Sequence, residues 1–266
     1  MQDFAYHRPG TLPEALQLRQ SAGETSYLAG GMTLIPTLKQ GLASPDTLVD
    51  LAGLSELTGC RLDGGALVVG AMTRHAAVAE SSVVKDAIPA LAALAGQIGD
   101  RQVRNRGTMG GSVANSDPAA DYPAAVIALG AAIRTDRREI AADDYFKDLF
   151  ETALEPGELI REIAFPIPVR AAYRKFPHPA SRFAVAGVFV ADFGGGRVRV
   201  GVTGAGPCAF RATAIEQALS ARLDPAALDG VAIDSVRFNS DLVASAEFRV
   251  QLVRVMAKRA VQDLLG

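Results

Sequence analysis

Only two cysteines occur in the 266 residues, Cys60 and Cys208, and they lie far apart. Neither a Cys-Xaa-Xaa-Cys pair nor an iron–sulfur spacing can be drawn from them, so the chain is not expected to ligate a cluster. Two buried thiols in a reducing cytoplasm are the plain reading. Histidine is nearly as scarce. His7, His75 and His178 are too dispersed for a zinc site and read as structural or surface residues. Charge of one sign is lacking too: 27 basic and 29 acidic residues leave a net charge of -2. That balance gives no electrostatic case for nucleic acid or an anionic membrane. Long apolar runs are missing. The longest, such as residues 124–132, are far too short to span a bilayer. The opening MQDFAYHRPG carries acid and proline and does not read as a secretory signal. A cytoplasmic protein without membrane insertion is expected.

What is present is apolar: 49% of the residues are hydrophobic, enough for one large domain or two small ones. Residues 12–20 read as a short helix, with Thr11 to cap it and Pro13 in its first turn. Tyr27-Leu28-Ala29 reads as a buried strand running into Gly30-Gly31, and residues 34–39 look helical. Strands are expected at 47–51 and 67–69, and alanine-rich helices at 71–79 and 88–98. Residues 100–107 carry charge without periodicity and read as irregular. Residues 108–113 read as a glycine-rich loop, and 121–132 as a helix that Asp121 is placed to cap. Residues 160–168 alternate and end in Pro166 and Pro168, where a domain boundary is expected. Beyond it, 183–193 and 197–203 alternate as a hairpin turned by Gly194-Gly195-Gly196. Helices follow at 210–219 and 247–265. That order suggests an antiparallel sheet backed by helices.

Two segments carry the chemistry: Ala29-Gly30-Gly31-Met32-Thr33 and Thr108-Met109-Gly110-Gly111-Ser112. Adjacent glycines admit positive φ and leave no Cβ in the way. Successive amides can then hold an anion such as a pyrophosphate, and Thr33, Thr108 and Ser112 add hydroxyl donors. Taken singly, each Gly-Gly is also a plain turn. A third run, Gly204-Ala205-Gly206-Pro207-Cys208-Ala209, has the outline of a dinucleotide fingerprint. Pro207 removes an amide the phosphate needs, and the strand before it reads as half of a hairpin, so a tight turn is preferred.

Ala29 to Leu34, then Leu48-Val49-Asp50-Leu51 and Gly70-Ala71-Met72-Thr73, resemble the FAD-binding medium subunit of molybdenum hydroxylases of the carbon monoxide dehydrogenase and xanthine dehydrogenase family. Gln102-Val103-Arg104-Asn105-Arg106-Gly107-Thr108-Met109-Gly110-Gly111, continuing to Asp117-Pro118-Ala119-Ala120-Asp121, resembles it more closely. The resemblance runs from Phe4 to the C-terminus. It implies an α+β chain with an FAD-binding fold of the vanillyl-alcohol oxidase or p-cresol methylhydroxylase type over 1–170, in subdomains of about 1–55 and 56–170. A small α+β domain with an antiparallel sheet follows over 171–266.

The resemblance further implies that Ala29, Gly30, Gly31, Met32 and Thr33, with Thr108, Met109, Gly110, Gly111 and Ser112, bind the FAD diphosphate. Asp121 matches an acid that contacts the flavin nucleotide, and Lys175 a lysine near the flavin. No side chain is assigned a catalytic role. Met32 stands where the family commonly has polar or small residues, and Ser112 where Asn or Asp is frequent. The implied partners are a large molybdopterin-binding subunit and a small subunit with [2Fe–2S] clusters, as a dimer of heterotrimers. Asp121 read alone is equally an N-cap. Arg101, Arg104 and Arg106 are either a solvated face or a contact for phosphate or partner. A self-sufficient FAD-dependent oxidoreductase and a flavin-free scaffold are the rival functions.

Overall fold

The computed structural model describes residues 2–21, 23–234 and 238–266. Its first unit is a three-stranded parallel sheet. Thr47–Asp50 lies in the middle, flanked by Ala5–His7 and Thr25–Leu28. Parallel neighbours need crossovers. The helices Leu12–Ser21 and Leu34–Lys39 supply them. Leu12, Ala15, Val49, Leu51 and Leu57 form the small core beneath, together with Met72 and Leu159 from the next unit.

The second unit is a five-stranded antiparallel sheet. Its order is Cys60–Asp63, Ala66–Gly70, Ile160–Pro166, Ala132–Thr135, Glu139–Ala141. The excursion between its second and third strands in sequence holds the helices from His75–Glu80 to Tyr122–Leu129. Every residue of Tyr122–Leu129 is buried, because this helix lies between the five-stranded sheet and the next one. The core around it accordingly runs from Val69 and Phe165 to Tyr173 and Phe189.

The third unit is the antiparallel sheet Arg170–Pro177, Ala184–Asp192, Val198–Thr203, Phe210–Arg211. Ala184–Asp192 is buried along its whole length, helix on either face. The long helix Ala246–Leu265 is capped by Ser245 and buries Leu252, Val253, Met256, Ala257, Ala260, Val261 and Leu264. A fully buried side chain of this size is worth about 1.5–3 kcal/mol, which is why this stripe stays on its own sheet.

Several local expectations are corrected. Residues 100–107 are not irregular: Arg101–Arg106 is a helix, capped by Asp100 Oδ1 accepting from the Val103 amide at 2.8 Å. It has no apolar face, so periodicity could not show it. Residues 108–113 are not a loop but part of the helix Met109–Asn115, with Thr108 as its cap. The helix expected at 71–79 begins only at His75, and the one expected at 210–219 at Thr213, after the short strand Phe210–Arg211. Asp121 stands at the N-cap of Tyr122–Leu129 but makes no capping hydrogen bond, because longer-range partners take its carboxylate.

Candidate functional site

The two glycine motifs meet across one cavity of about 500 Å³. A volume of this size suits a cofactor or drug-sized ligand. The first motif follows the strand Thr25–Leu28 and turns at Gly31, whose φ is +73°. Such a conformation favours glycine. The amides of Gly30, Gly31, Met32 and Thr33 donate to no partner among the described residues, and the Thr33 hydroxyl is likewise unengaged. All four residues, with Ala29, line the cavity. These are unpartnered donors on residues that line the cavity, of the kind an anion occupies.

The second motif behaves differently. The Met109 amide donates to Thr73 O at 3.0 Å, Gly110 to Ala71 O at 2.8 Å and Ser112 to Thr108 O at 3.0 Å. The Gly111 amide donates to Thr108 Oγ1 at 3.2 Å. These four amides are therefore engaged within the chain and are not an anion nest. Gly110 is required by packing instead, since a Cβ there would lie 2.5 Å from Ala71 Cβ. Met109 is fully buried in the core and does not line the cavity. Thr108, Gly110, Gly111 and Ser112 do line it, and the Ser112 hydroxyl has no partner among the described residues.

Asp121 lines the cavity from its other side and is buried. It accepts from Tyr173 Oη at 2.6 Å and from Lys175 Nζ, whose ion-pair distance is 2.9 Å. Burial pushes its carboxyl up, opposed by Lys175 and Tyr173. Lys175 does not line the cavity. Its ammonium also donates to Gln97 O and Arg182 O, both at 3.0 Å, so its three protons are spoken for. It ties the third sheet to two segments of the helical layer.

Three further wall residues were not singled out from the sequence. His75 is buried, and its Nδ1 has no partner among the described residues. Burial, helped by Arg104, lowers its pKa to about 4. Glu158 is pushed up by burial but pulled down further by Arg138, the Glu155 amide and Thr135, to about 2. Phe183 gives the wall a half-exposed aromatic ring. Only an alignment of side chains from distant segments exposes these positions. By contrast, Gly204 donates to Pro118 O at 2.7 Å, and the strand before it pairs antiparallel on both sides, so the third glycine run is a packed turn.

A family model for the FAD binding domain in molybdopterin dehydrogenase matches residues 2–168. The chain belongs to that FAD-binding family. A second model, the CO dehydrogenase flavoprotein C-terminal domain, matches residues 171–264 of this FAD-binding chain. It is 35% identical to the carbon monoxide dehydrogenase medium chain of Afipia carboxidovorans, over 97% of this chain and 96% of that one. It is 32% identical to the glyceraldehyde dehydrogenase medium chain of Sulfolobus acidocaldarius, over 98% of each. A crystal structure of the Cu,Mo-CO dehydrogenase in its cyanide-inactivated form contains a chain of the same fold, with a TM-score of 0.92 at 35% identity over 99% and 98% of the two chains. The α+β fold is thus an FAD-binding domain followed by a flavoprotein C-terminal domain, and the chain is the FAD-binding medium subunit of a molybdenum-hydroxylase-type oxidoreductase. Among the described residues no helix is long and apolar enough to cross a membrane.

Proposed function

We propose that this chain relays electrons in a cytoplasmic three-subunit molybdenum hydroxylase. Substrate is oxidised at a molybdopterin centre on a large partner, and [2Fe–2S] clusters on a small partner carry the electrons here. When bound, FAD accepts single electrons from clusters and releases pairs to a terminal acceptor. The observation that carries the reading is the row of unpartnered amides at Gly30, Gly31, Met32 and Thr33 along the cavity. The relatives' names, medium chain in both cases, support the subunit role.

Within that reading, Ala29 to Thr33 hold the diphosphate through backbone amides and the Thr33 hydroxyl. Thr108, Gly110, Gly111 and Ser112 complete the cradle, Ser112 by its hydroxyl and the others by bringing two backbones close. Met109 acts from the core behind them. Asp121 orients the wall and Lys175 fixes Asp121. We assign residues 1–170 to FAD, in subdomains of about 1–55 and 56–170, and 171–266 to the C-terminal domain. The first two sheets lie within 1–55 and 56–170, and the third begins at Arg170, on the last of these boundaries.

The helix Arg101–Arg106 faces outward with no buried residue and leads into the second motif, which favours it as the contact for the iron–sulfur partner. The complex is proposed as a dimer of heterotrimers. The deciding experiment is coexpression with the two partners. The three chains should coelute with molybdenum, iron and FAD, and denaturation should release free FAD. Full hydroxylase turnover by this chain alone would instead identify a self-sufficient oxidoreductase.

A further inference from the structure

The acidic and basic side chains that line the cavity, among the described residues, are His75, Asp117, Asp121, Glu158 and Arg182. Two of the carboxylates are neutralised from behind. Asp121 is paired with Lys175 and Glu158 with Arg138 at 3.0 Å. Asp117 caps its own turn, accepting from the Ala119 amide at 2.8 Å. His75 is kept uncharged by burial. Among the described residues Arg182 is left as the one cation on the wall, and none of their carboxylates lies within ion-pair distance of it. Lys175 carries a charge nearby, but Asp121 consumes it.

The backbone of Arg182 is also unusual. Its φ is +62°, a region that residues with a Cβ seldom occupy. Hydrogen bonds hold it there. Its amide donates to His178 O at 2.8 Å, and its carbonyl accepts from Lys175 Nζ at 3.0 Å. His178 Nδ1 accepts from the Ala180 and Ser181 amides at 3.3 and 3.2 Å. A strained residue that its surroundings over-determine is the pattern found where position matters for function.

We infer that Arg182 supplies the positive charge that stabilises the reduced flavin in this cavity. The inference rests on the FAD reading above. Arg182 and Phe183 are exposed and so stand at the mouth. With the diphosphate at Gly30 to Thr33, the isoalloxazine would be the part of FAD placed toward the mouth, where electrons can enter and leave. Two electrons from the clusters and one proton from solvent leave the reduced ring with one negative charge. An unpaired guanidinium nearby favours that form over the neutral oxidised one.

The test is the flavin midpoint potential of the FAD-loaded chain, read by equilibrium reduction against a reference dye. R182Q should shift the reduction equilibrium about tenfold toward the oxidised form, which for a two-electron couple is about 30 mV lower. R182K should retain the parent value. R182G relieves the strain at φ +62° and removes the charge, so it should match R182Q. Parent potentials in both R182Q and R182G would overturn the assignment. So would a drop in R182Q alone, which would trace the effect to the backbone, or weaker FAD binding at unchanged potential, which would place Arg182 on a phosphate. A parent chain that binds no FAD would overturn the flavin reading itself and this inference with it.

Discussion

A Cβ on Gly30 would stand 2.2 Å from the Arg106 carbonyl oxygen and 2.7 Å from Gly107 Cα. The first glycine motif is therefore pressed directly on the backbone that leads into the second. At Gly31 the restriction is different: a Cβ would meet only the Ile35 and Leu28 side chains, at 3.0 and 3.3 Å, but φ is +73°. The two glycines serve separate ends, packing and conformation. Gly30→Ala should destabilise the apo-chain by about 2 kcal/mol or more and abolish FAD binding, since backbone must move. Gly31→Ala should cost about 1 kcal/mol in apo-stability while weakening FAD by tenfold or more, since the strained turn aims the free amides. Urea melts of the apo-protein beside flavin titrations separate the two. Equal FAD affinity in Gly31→Ala and the parent would remove the turn from the cofactor site.

Acid sensitivity should begin with His75. The unfolded chain takes up this proton near pH 6.5, the folded one only near 4. Between those values the unfolded state holds more protons, so stability falls as pH falls. The loss should approach roughly 3 kcal/mol by pH 4. Glu158 adds a second window, since its carboxyl titrates near 2 in the fold against 4.5 unfolded, and its stabilisation fades as pH drops from above 4.5. His75→Phe should flatten the melting temperature over most of the range from pH 6.5 to 4, whereas Glu158→Gln should flatten it only from about pH 5 downward. A slope between pH 6.5 and 4 that survives His75→Phe would assign it to another group.

Asp121 and Lys175 should behave as one unit. Each is buried, at 4% and 5% side-chain exposure, and each leaves an uncompensated charge if the other is removed. Asp121→Leu or Lys175→Met alone should destabilise by about 3–5 kcal/mol. The double variant should recover much of that loss. Additive losses in the cycle would show that the two side chains do not depend on one another.

The sequence carried the parts of this picture that are local. The hairpin at Gly194-Gly195-Gly196 is legible because alternation and turn chemistry agree. The strand into Gly30-Gly31 is legible only in part: it runs over Thr25–Leu28, stops before Ala29 and is partly exposed along most of its length. The helix Arg101–Arg106 is not, because its residues are polar or charged nearly all round and it is held by its cap and by Arg104 donating to Ile98 O at 3.0 Å. Met109–Asn115 is hidden by two glycines that lower helix propensity yet are needed for the approach to Ala71. Asp121 looks like a cap in a local window, but Tyr173 and Lys175 arrive from more than fifty residues away and win its carboxylate. Lys175, which the resemblance places near the flavin, is held by Asp121, Gln97 O and Arg182 O, partners that a local window does not show.

The partner surface gives the last prediction. The long helix Ala246–Leu265 packs its apolar stripe on its own sheet. The helix Arg101–Arg106 remains. Arg104 is occupied with the carbonyls of Ile98 and Gly99, whereas Arg101 and Arg106 are exposed and form no ion pair among the described residues. Two unpaired guanidinium groups on a short outward helix suit an acidic surface on the iron–sulfur partner. The double charge reversal R101E/R106E should therefore slow association with that partner tenfold or more at low salt. The defect should shrink as salt rises and screens the contact. FAD content and apo-stability should stay near the parent values, because neither side chain lines the cavity. Association rates of the purified FAD-loaded chain with the small subunit, measured across a salt series, decide the matter. Parent-like rates at low salt would move the electron-entry surface elsewhere on the molecule, and the exposed mouth around Arg182 and Phe183 would be the next place to mutate.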